Sequence, residues 1–300
     1  MSRSVFAAIT GRPNAGKSSL LNALVGEKIA MVTDKPQTTR TRITGVLTED
    51  DLQYVFIDTP GIHKAHDRLG HYMNKAVRQA VTDIDVAIYM ADVTHKMSDI
   101  DRDWIRGYME QQVPVILVLN KCDLVDDKSK VALRIAEYAA LGEYASVIPA
   151  SVQERDGVDL IKEETAKFAK ESVHYFPDDK LTDQPEKVIM SEMIREKLMK
   201  LTYEEIPHGI AVIIDELHED TTKTGEDIMH ISAVIYCERE SHKGIIIGKH
   251  GTVLKKAGTA AREELESFFG IKTDLKLWVK VREDWRNNEG LIKNFGLSDI

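Results

Sequence analysis

The hydrophobic pattern changes period several times along the chain, and each change marks an element. Short, largely apolar runs at residues 5–9, 52–57, 84–92, 115–119 and 144–149 predict buried strands. Between them the spacing predicts helices opening at 18–24 and running over 99–110 and 160–170. Strands alternating with helices over 1–172 predict a mostly parallel sheet with helices on both faces. Tyr175-Phe176-Pro177-Asp178-Asp179 through Asp183-Gln184-Pro185 is polar and proline-marked, which predicts a linker over 173–185. From 186 to 300 the grammar differs. A helix over 186–201, strands over 210–216 and 228–237, a short helix ending at Ile247, a long helix over 254–269 and a strand over 275–281 make an α-β-β-α-α-β order with a C-terminal extension. Val253, Leu254, Ala257, Ala261, Leu265 and Phe268 recur at helical spacing as a core stripe.

At 300 residues, 43% hydrophobic and 30% charged, the composition is that of a soluble globular protein long enough for two domains. Cys122 and Cys237 have neither disulfide nor metal-ligand spacing and read as packing residues in a reducing compartment. The first apolar run, about five residues, is too short for a secretion signal, and no run is long enough to span a bilayer. A formal net charge of −9 argues against indiscriminate nucleic-acid binding.

Three strings carry the chemistry of the first half. Gly11-Arg12-Pro13-Asn14-Ala15-Gly16-Lys17-Ser18, followed by Ser19, is a G-x-x-x-x-G-K-S loop between a predicted strand and helix. Its backbone N–H groups can cradle a polyphosphate at a helix N-terminus, with Lys17 on the β/γ oxygens and Ser18 on Mg²⁺. Asp58-Thr59-Pro60-Gly61 ends another strand; Asp58 suits Mg²⁺ held through water, and Gly61 can approach the γ-phosphate. Asn120-Lys121-Cys122-Asp123 ends a third. A carboxylate there accepts from the N1–H and N2–H₂ edge of guanine, which adenine lacks, so Asp123 selects GTP over ATP. Each short string arises often by chance; the ordered trio at strand ends does not, and it predicts a P-loop guanine nucleotide domain. It also disfavours an RNA-binding protein with a vestigial nucleotide site.

In the second half, Gly248-Lys249-His250-Gly251 sits between two helices, as in KH modules, whose G-x-x-G loop clamps a single-stranded RNA backbone. From Ser241 to Arg262 there is no Asp or Glu, while Lys243, Lys249, Lys255, Lys256 and Arg262 fall inside. Lys255 and Lys256 lie off the apolar stripe, free either to meet phosphates or simply to be solvated. In the last strand Lys276, Trp278, Lys280 and Arg282 face away from Leu275, Leu277, Val279 and Val281. Trp278 either stacks a base or packs locally. The competing reading makes this half a protein-docking or membrane-docking module, against which the acid-free stretch argues.

These motifs, together with Gln37-Thr38-Thr39-Arg40, Ile194-Arg195-Glu196-Lys197-Leu198 and Leu277-Trp278-Val279-Lys280-Val281, resemble the Era family of bacterial GTPases over essentially the whole length. The resemblance implies a G domain over 1–172 fused to an α+β type II KH domain over 186–300. It implies a monomeric, cytoplasmic GTPase that assists small-subunit (30S) assembly by binding near the 3′ end of 16S ribosomal RNA, with peripheral association at the cytoplasmic membrane. It places the first switch at 32–44, with Thr39 closing on Mg²⁺ and the γ-phosphate and Thr38 the nearest alternative. Ser151 and Val152 stand where the family contacts guanine O6, followed by an apparently longer loop, Gln153-Glu154-Arg155-Asp156. Ile62 stands where Ras-type enzymes place a water-orienting glutamine, which implies slow unaided hydrolysis. Asn14 occupies the position that, in some such GTPases, seats a monovalent cation such as K⁺; the alternative is an asparagine that only braces its turn. The catalytic set expected is therefore Lys17, Thr39, Gly61 and Asn14. His63, His66 and His71 read as solvated rather than catalytic.

Overall fold

A computed structural model describes residues 1–62, 65, 67–222 and 225–297; His63 and His66 lie outside the described residues. The first half runs β1 (Arg3–Gly11), α1 (Lys17–Val25), β2 (Ile43–Glu49), β3 (Leu52–Asp58), α2 (Arg68–Ala80), β4 (Val86–Asp92), α3 (Asp99–Glu110), β5 (Val115–Asn120), α4 (Lys128–Ala139), β6 (Ser146–Pro149), α5 (Val158–Ala166) and β7 (Lys170–Glu171). These strands form one sheet in the order β2-β3-β1-β4-β5-β6, with the short β7 antiparallel to β1. The five central strands are parallel and β2 is antiparallel to β3. Because β1 has β3 on one side and β4 on the other, the chain order reverses at β1, and the crevice at the carboxyl ends of the strands opens there. The continuous apolar runs of β1, β4 and β5 are buried on both faces, which is what a sheet covered by helices demands.

The second half runs α6 (Glu186–Leu201), β8 (Ala211–Thr221), β9 (Asp227–Cys237), α7 (Glu240–Ile247), α8 (Thr252–Phe269), β10 (Lys272–Val281) and α9 (Glu289–Asn294). Its sheet has the order β10-β9-β8, with β10 parallel and β8 antiparallel to β9. Ala257, Ala261 and Leu265 of α8 pack with Ile194 and Leu198 of α6 and with Ile231, Ala233 and Ile235 of β9 in one core.

The structure departs from the sequence expectations in three places. Elements α2, α4, α9, β2 and β7 were not anticipated, and the helix expected over 160–170 spans Val158–Ala166 as α5, with Lys170 in β7. The α4 helix buries only Tyr138 and leaves Leu133 exposed, so it carries little of the stripe that reveals a helix. The expected linker is laid against the first half: Tyr175 and Phe176 N–H groups donate to Gln53 Oε1 at 2.8 and 3.0 Å, and Thr182 Oγ1 donates to Thr44 O at 2.7 Å. The two halves also share a core beyond that segment. Leu69 and Met73 of α2 cluster with Ala211, Ile292 and the fully buried Trp285.

Candidate nucleotide site and nucleic-acid interface

The carboxyl ends of β1, β3, β5 and β6 bring the three motifs and Ser151 to one edge of the first sheet. Helix α1 begins after Gly16, which has φ 101° and supplies no side-chain cap, so the first-turn N–H groups face the loop. Glycine is required there: a Cβ would lie 2.3 Å from Asn120 Nδ2. Asn120 is itself a tie between loops, donating to Ala15 O at 2.8 Å and accepting from Val152 N at 3.0 Å. Its side chain therefore serves the base pocket by fixing both walls. Asp123 accepts from Ser151 Oγ at 2.6 Å, and Lys121 Nζ donates to Asp92 at 2.7 Å. The long loop after Ser151 closes on itself, with Ser151 and Asp156 exchanging backbone hydrogen bonds at 3.1 and 2.9 Å, so Ser151 and Val152 stay beside Asp123 and Asn120.

Around the phosphate loop, Lys17 is buried and donates to Arg12 O at 2.9 Å. Burial pulls its ammonium down to about 8 although Asp58 opposes the shift, and burial pushes the Asp58 carboxyl up to about 6 against Lys17 and the Ser18 hydroxyl. Both are desolvation effects that a polyphosphate and a cation would offset. Ser18 Oγ lies 2.6 Å from Asp58 Oδ2 and 2.8 Å from Thr39 Oγ1. Asp58 Oδ1 is buried and, among the described residues, has no hydrogen-bond partner. Three hard oxygen donors and one unsatisfied carboxylate oxygen fit Mg²⁺. Thr39, not Thr38, faces this cluster; Thr38 Oγ1 bonds Thr33 Oγ1 at 2.7 Å and Lys35 O at 2.6 Å. Asn14, at φ 62°, donates from Nδ2 to Asp34 O at 2.8 Å, linking the phosphate loop to the first switch. Gly61 lies against Pro13, where a Cβ would sit 2.7 Å from the proline ring. Ile62 is buried among Val77, Ala91 and Ile105 and points into the core, so its own side chain does not orient water. His71 is exposed on α2.

In the second half the residues 248–251 form a tight turn with Gly248 at φ 74°, His250 at φ 53° and Gly251 at φ 75°. Lys249 and His250 are exposed at its tip, and Lys255 and Lys256 are exposed on the first turn of α8. Lys243 lies on α7, 3.9 Å from Glu240. Beside the loop runs an open groove of about 380 Å³ lined by Leu254, Gly258, Leu275 and Leu277, with Lys255 and Arg262 at its margin. Trp278 is 60% exposed on β10, so of its two sequence readings local packing is not the one adopted.

Several side chains at the first switch escaped the sequence reading. Arg40 is buried and donates to Ile210 O at 2.6 Å and His208 O at 2.7 Å. Arg195 and Glu196, in a string singled out only for its resemblance, are also buried against the first switch. Three adjacent charged residues, 195–197, on a helix were the available signal: charges that must be buried need partners.

Comparison with known proteins bears on both halves. Residues 6–121 match the family described as "50S ribosome-binding GTPase", and residues 205–286 match the KH domain. GTPase Era of Clostridioides difficile is 44% identical over all of both chains, and GTPase Era of Ruminiclostridium cellulolyticum is 43% identical over 98% of this chain and 97% of its own. Among solved structures, Era in complex with MgGDPNP and nucleotides 1506–1542 of 16S ribosomal RNA superposes with a TM-score of 0.94 at 36% identity, covering 99% of this chain and all of that one. A variant of Aquifex aeolicus Era bound to GDP·AlF4⁻ gives 0.93 at 36% identity, covering 99% of each.

Proposed function

The chain belongs to the Era family of GTPases, and from that premise we propose that it hydrolyses GTP in its first half and binds the 3′ region of 16S ribosomal RNA through its second, assisting small-subunit assembly. The working division is 1–172 for the nucleotide, 173–185 for the connection and 186–300 for the RNA. The observation that supports this reading is that one chain carries both arrangements: the nucleotide loops are tied through Asn120, and the turn 248–251 projects Lys249 and His250 beside a groove lined by leucines, Lys255 and Arg262.

Phosphoryl transfer to water needs positioning and charge stabilisation rather than covalent chemistry. Backbone N–H groups of Gly11, Asn14, Ala15, Gly16, Lys17, Ser18 and Ser19 surround the phosphates, and the Lys17 ammonium takes up charge on the β/γ oxygens. Ser18, Thr39 and Asp58 would hold Mg²⁺, which would neutralise phosphate charge. Gly61 allows close backbone approach to the γ-phosphate. Asp123 reads the guanine edge, Lys121 covers the base, and Ser151 with Val152 bounds the O6 side. Were K⁺ to bind at the phosphate loop, the Asn14 side-chain oxygen could help hold it, and the ion would supply positive charge where a glutamine is lacking. Gly248 and Gly251 let the RNA backbone approach, and Lys243, Lys249, His250, Lys255 and Lys256 supply positive charge.

Replacing Lys249 and His250 together with Asp tests the RNA assignment. Affinity for an oligonucleotide of the 16S 3′ end falls about tenfold or more, because like charges oppose the phosphates, while GTP affinity stays near that of the parent. Unchanged RNA affinity would make the second half a docking module for protein or membrane instead. The family resemblance further leads us to propose a cytoplasmic monomer that meets the inner membrane face only peripherally. Among the described residues no helix is long and apolar enough to cross a bilayer; failure to co-float with anionic vesicles would remove the membrane contact.

A further inference from the structure

We infer that Arg195 and Glu196 of α6 are positioning residues for GTP hydrolysis: from the second half, they pin both ends of the 32–38 loop and so seat Thr39 beside Ser18 and Asp58. Arg195 is 2% exposed, and its guanidinium donates to Thr38 O, the carbonyl that leads directly into Thr39, while also contacting Met31 Sδ at 2.9 Å. Its charge is balanced within α6 by Glu192 at 2.6 Å. Glu196 is fully buried and accepts from Val32 N at 3.2 Å, at the opposite end of the same loop. It is held in place by Lys28 at 2.8 Å, Lys200 at 2.6 Å and Lys197 at 3.2 Å, and Lys28 and Lys197 also contact Glu264 of α8.

Burying a guanidinium and a carboxylate on adjacent residues is costly unless each is fully partnered, and here part of that partnership is the backbone of a loop in the other half. A side chain that only stabilised α6 could complete its bonds within its own half. These two reach the carbonyl and the N–H that bracket the loop, and Arg40 crosses the opposite way to Ile210 O and His208 O. The result fixes a segment that also meets the phosphate loop through the Asn14–Asp34 and Ser18–Thr39 contacts. A displaced Thr39 loses its place in the Mg²⁺ cluster, and misplacement by about 1 Å is enough to cost up to about a hundredfold in rate.

This inference rests on the reading of the site as a Mg²⁺-dependent GTPase, and the experiment separates the two. GTP hydrolysis is measured against Mg²⁺ concentration in the full-length parent and in R195A, R195M and R195K, together with GDP affinity and amide exchange over residues 31–40. Expected for R195A and R195M are a fall in kcat of about tenfold, a raised Mg²⁺ requirement and faster exchange, with GDP affinity within about twofold of the parent because the phosphate and guanine loops are untouched. R195K, which retains one charged donor, recovers part of kcat. Should R195A fail to fold, R195M keeps the stem volume and carries the test. Parent-like kcat and Mg²⁺ dependence in folded variants would overturn the inference, as would equal loss of GDP affinity, which would signal a general structural role. Absence of Mg²⁺-dependent hydrolysis in the parent would instead overturn the reading beneath it.

Discussion

The crevice proposed for the nucleotide and the turn proposed for RNA are built in opposite ways. In the crevice the polar groups are buried and held in place: Lys17 is 6% exposed and bonded within its own loop to Arg12 O, Asp58 is 0% exposed and bonded to Ser18, and Asn120 is 4% exposed and bonded to Ala15 O. At the turn the backbone is shaped by three residues of positive φ, and the charges, Lys249, His250, Lys255 and Lys256, stand in solvent. Buried polar groups act in low dielectric and in fixed geometry, so one atom out of place is expensive. Exposed cations act through counterion release, in which each contributes a comparable share and none is singular. The difference teaches where single substitutions are decisive.

The sharpest break in the comparison is Lys17→Ala. Removing the buried ammonium is expected to lower kcat for GTP hydrolysis by about 10²–10³, measured under single-turnover conditions, with RNA affinity of the nucleotide-free protein unchanged. Parallel loss of RNA binding would show that the two regions are not separable. A smaller effect falls on the turn. Gly248→Ala forces a Cβ to 2.5 Å from Val253 Cγ2 at φ 74°, and is expected to cost about 1–3 kcal/mol in denaturant unfolding. Gly251→Asn, at φ 75° with open space around it, is expected to cost less than about 1 kcal/mol. Equal costs at both positions would refute the steric argument. The smallest effect concerns Asn14. Hydrolysis is expected to run a few-fold faster in K⁺ than in matched Na⁺, and Asn14→Ala is expected to erase that difference while nucleotide affinity holds. Equal rates in the parent would leave Asn14 with only its bond to Asp34 O.

Much of the crevice was legible because each motif is a local device. A glycine-rich loop before a helix, or a carboxylate ending a buried strand, carries its geometry within a few residues. The 186–201 and 99–110 helices were read with the bounds they have, the first because Pro185 marks its start and the second because its apolar stripe follows the Ser98 cap. Element α2 was missed although Leu69, Met73, Ala76, Val77 and Ala80 mark its buried face, because the reading treated the residues after Gly61 as a polar loop. Trp278 left two readings open, since alternation shows which face a residue takes but not whether that face is covered.

By itself, then, the sequence determined the buried parallel strands of the first half, the α-β-β-α-α-β order of the second, the three motifs at strand ends and the G-x-x-G turn between two helices. The tertiary structure alone decided which of Thr38 and Thr39 faces Ser18, that Ile62 turns into the core, and that Arg195 meets Thr38 O across 157 positions of chain. The physical reason is that periodicity encodes which face of an element is buried, while the partner of a buried charge is set by how two separately folded surfaces come to lie against each other.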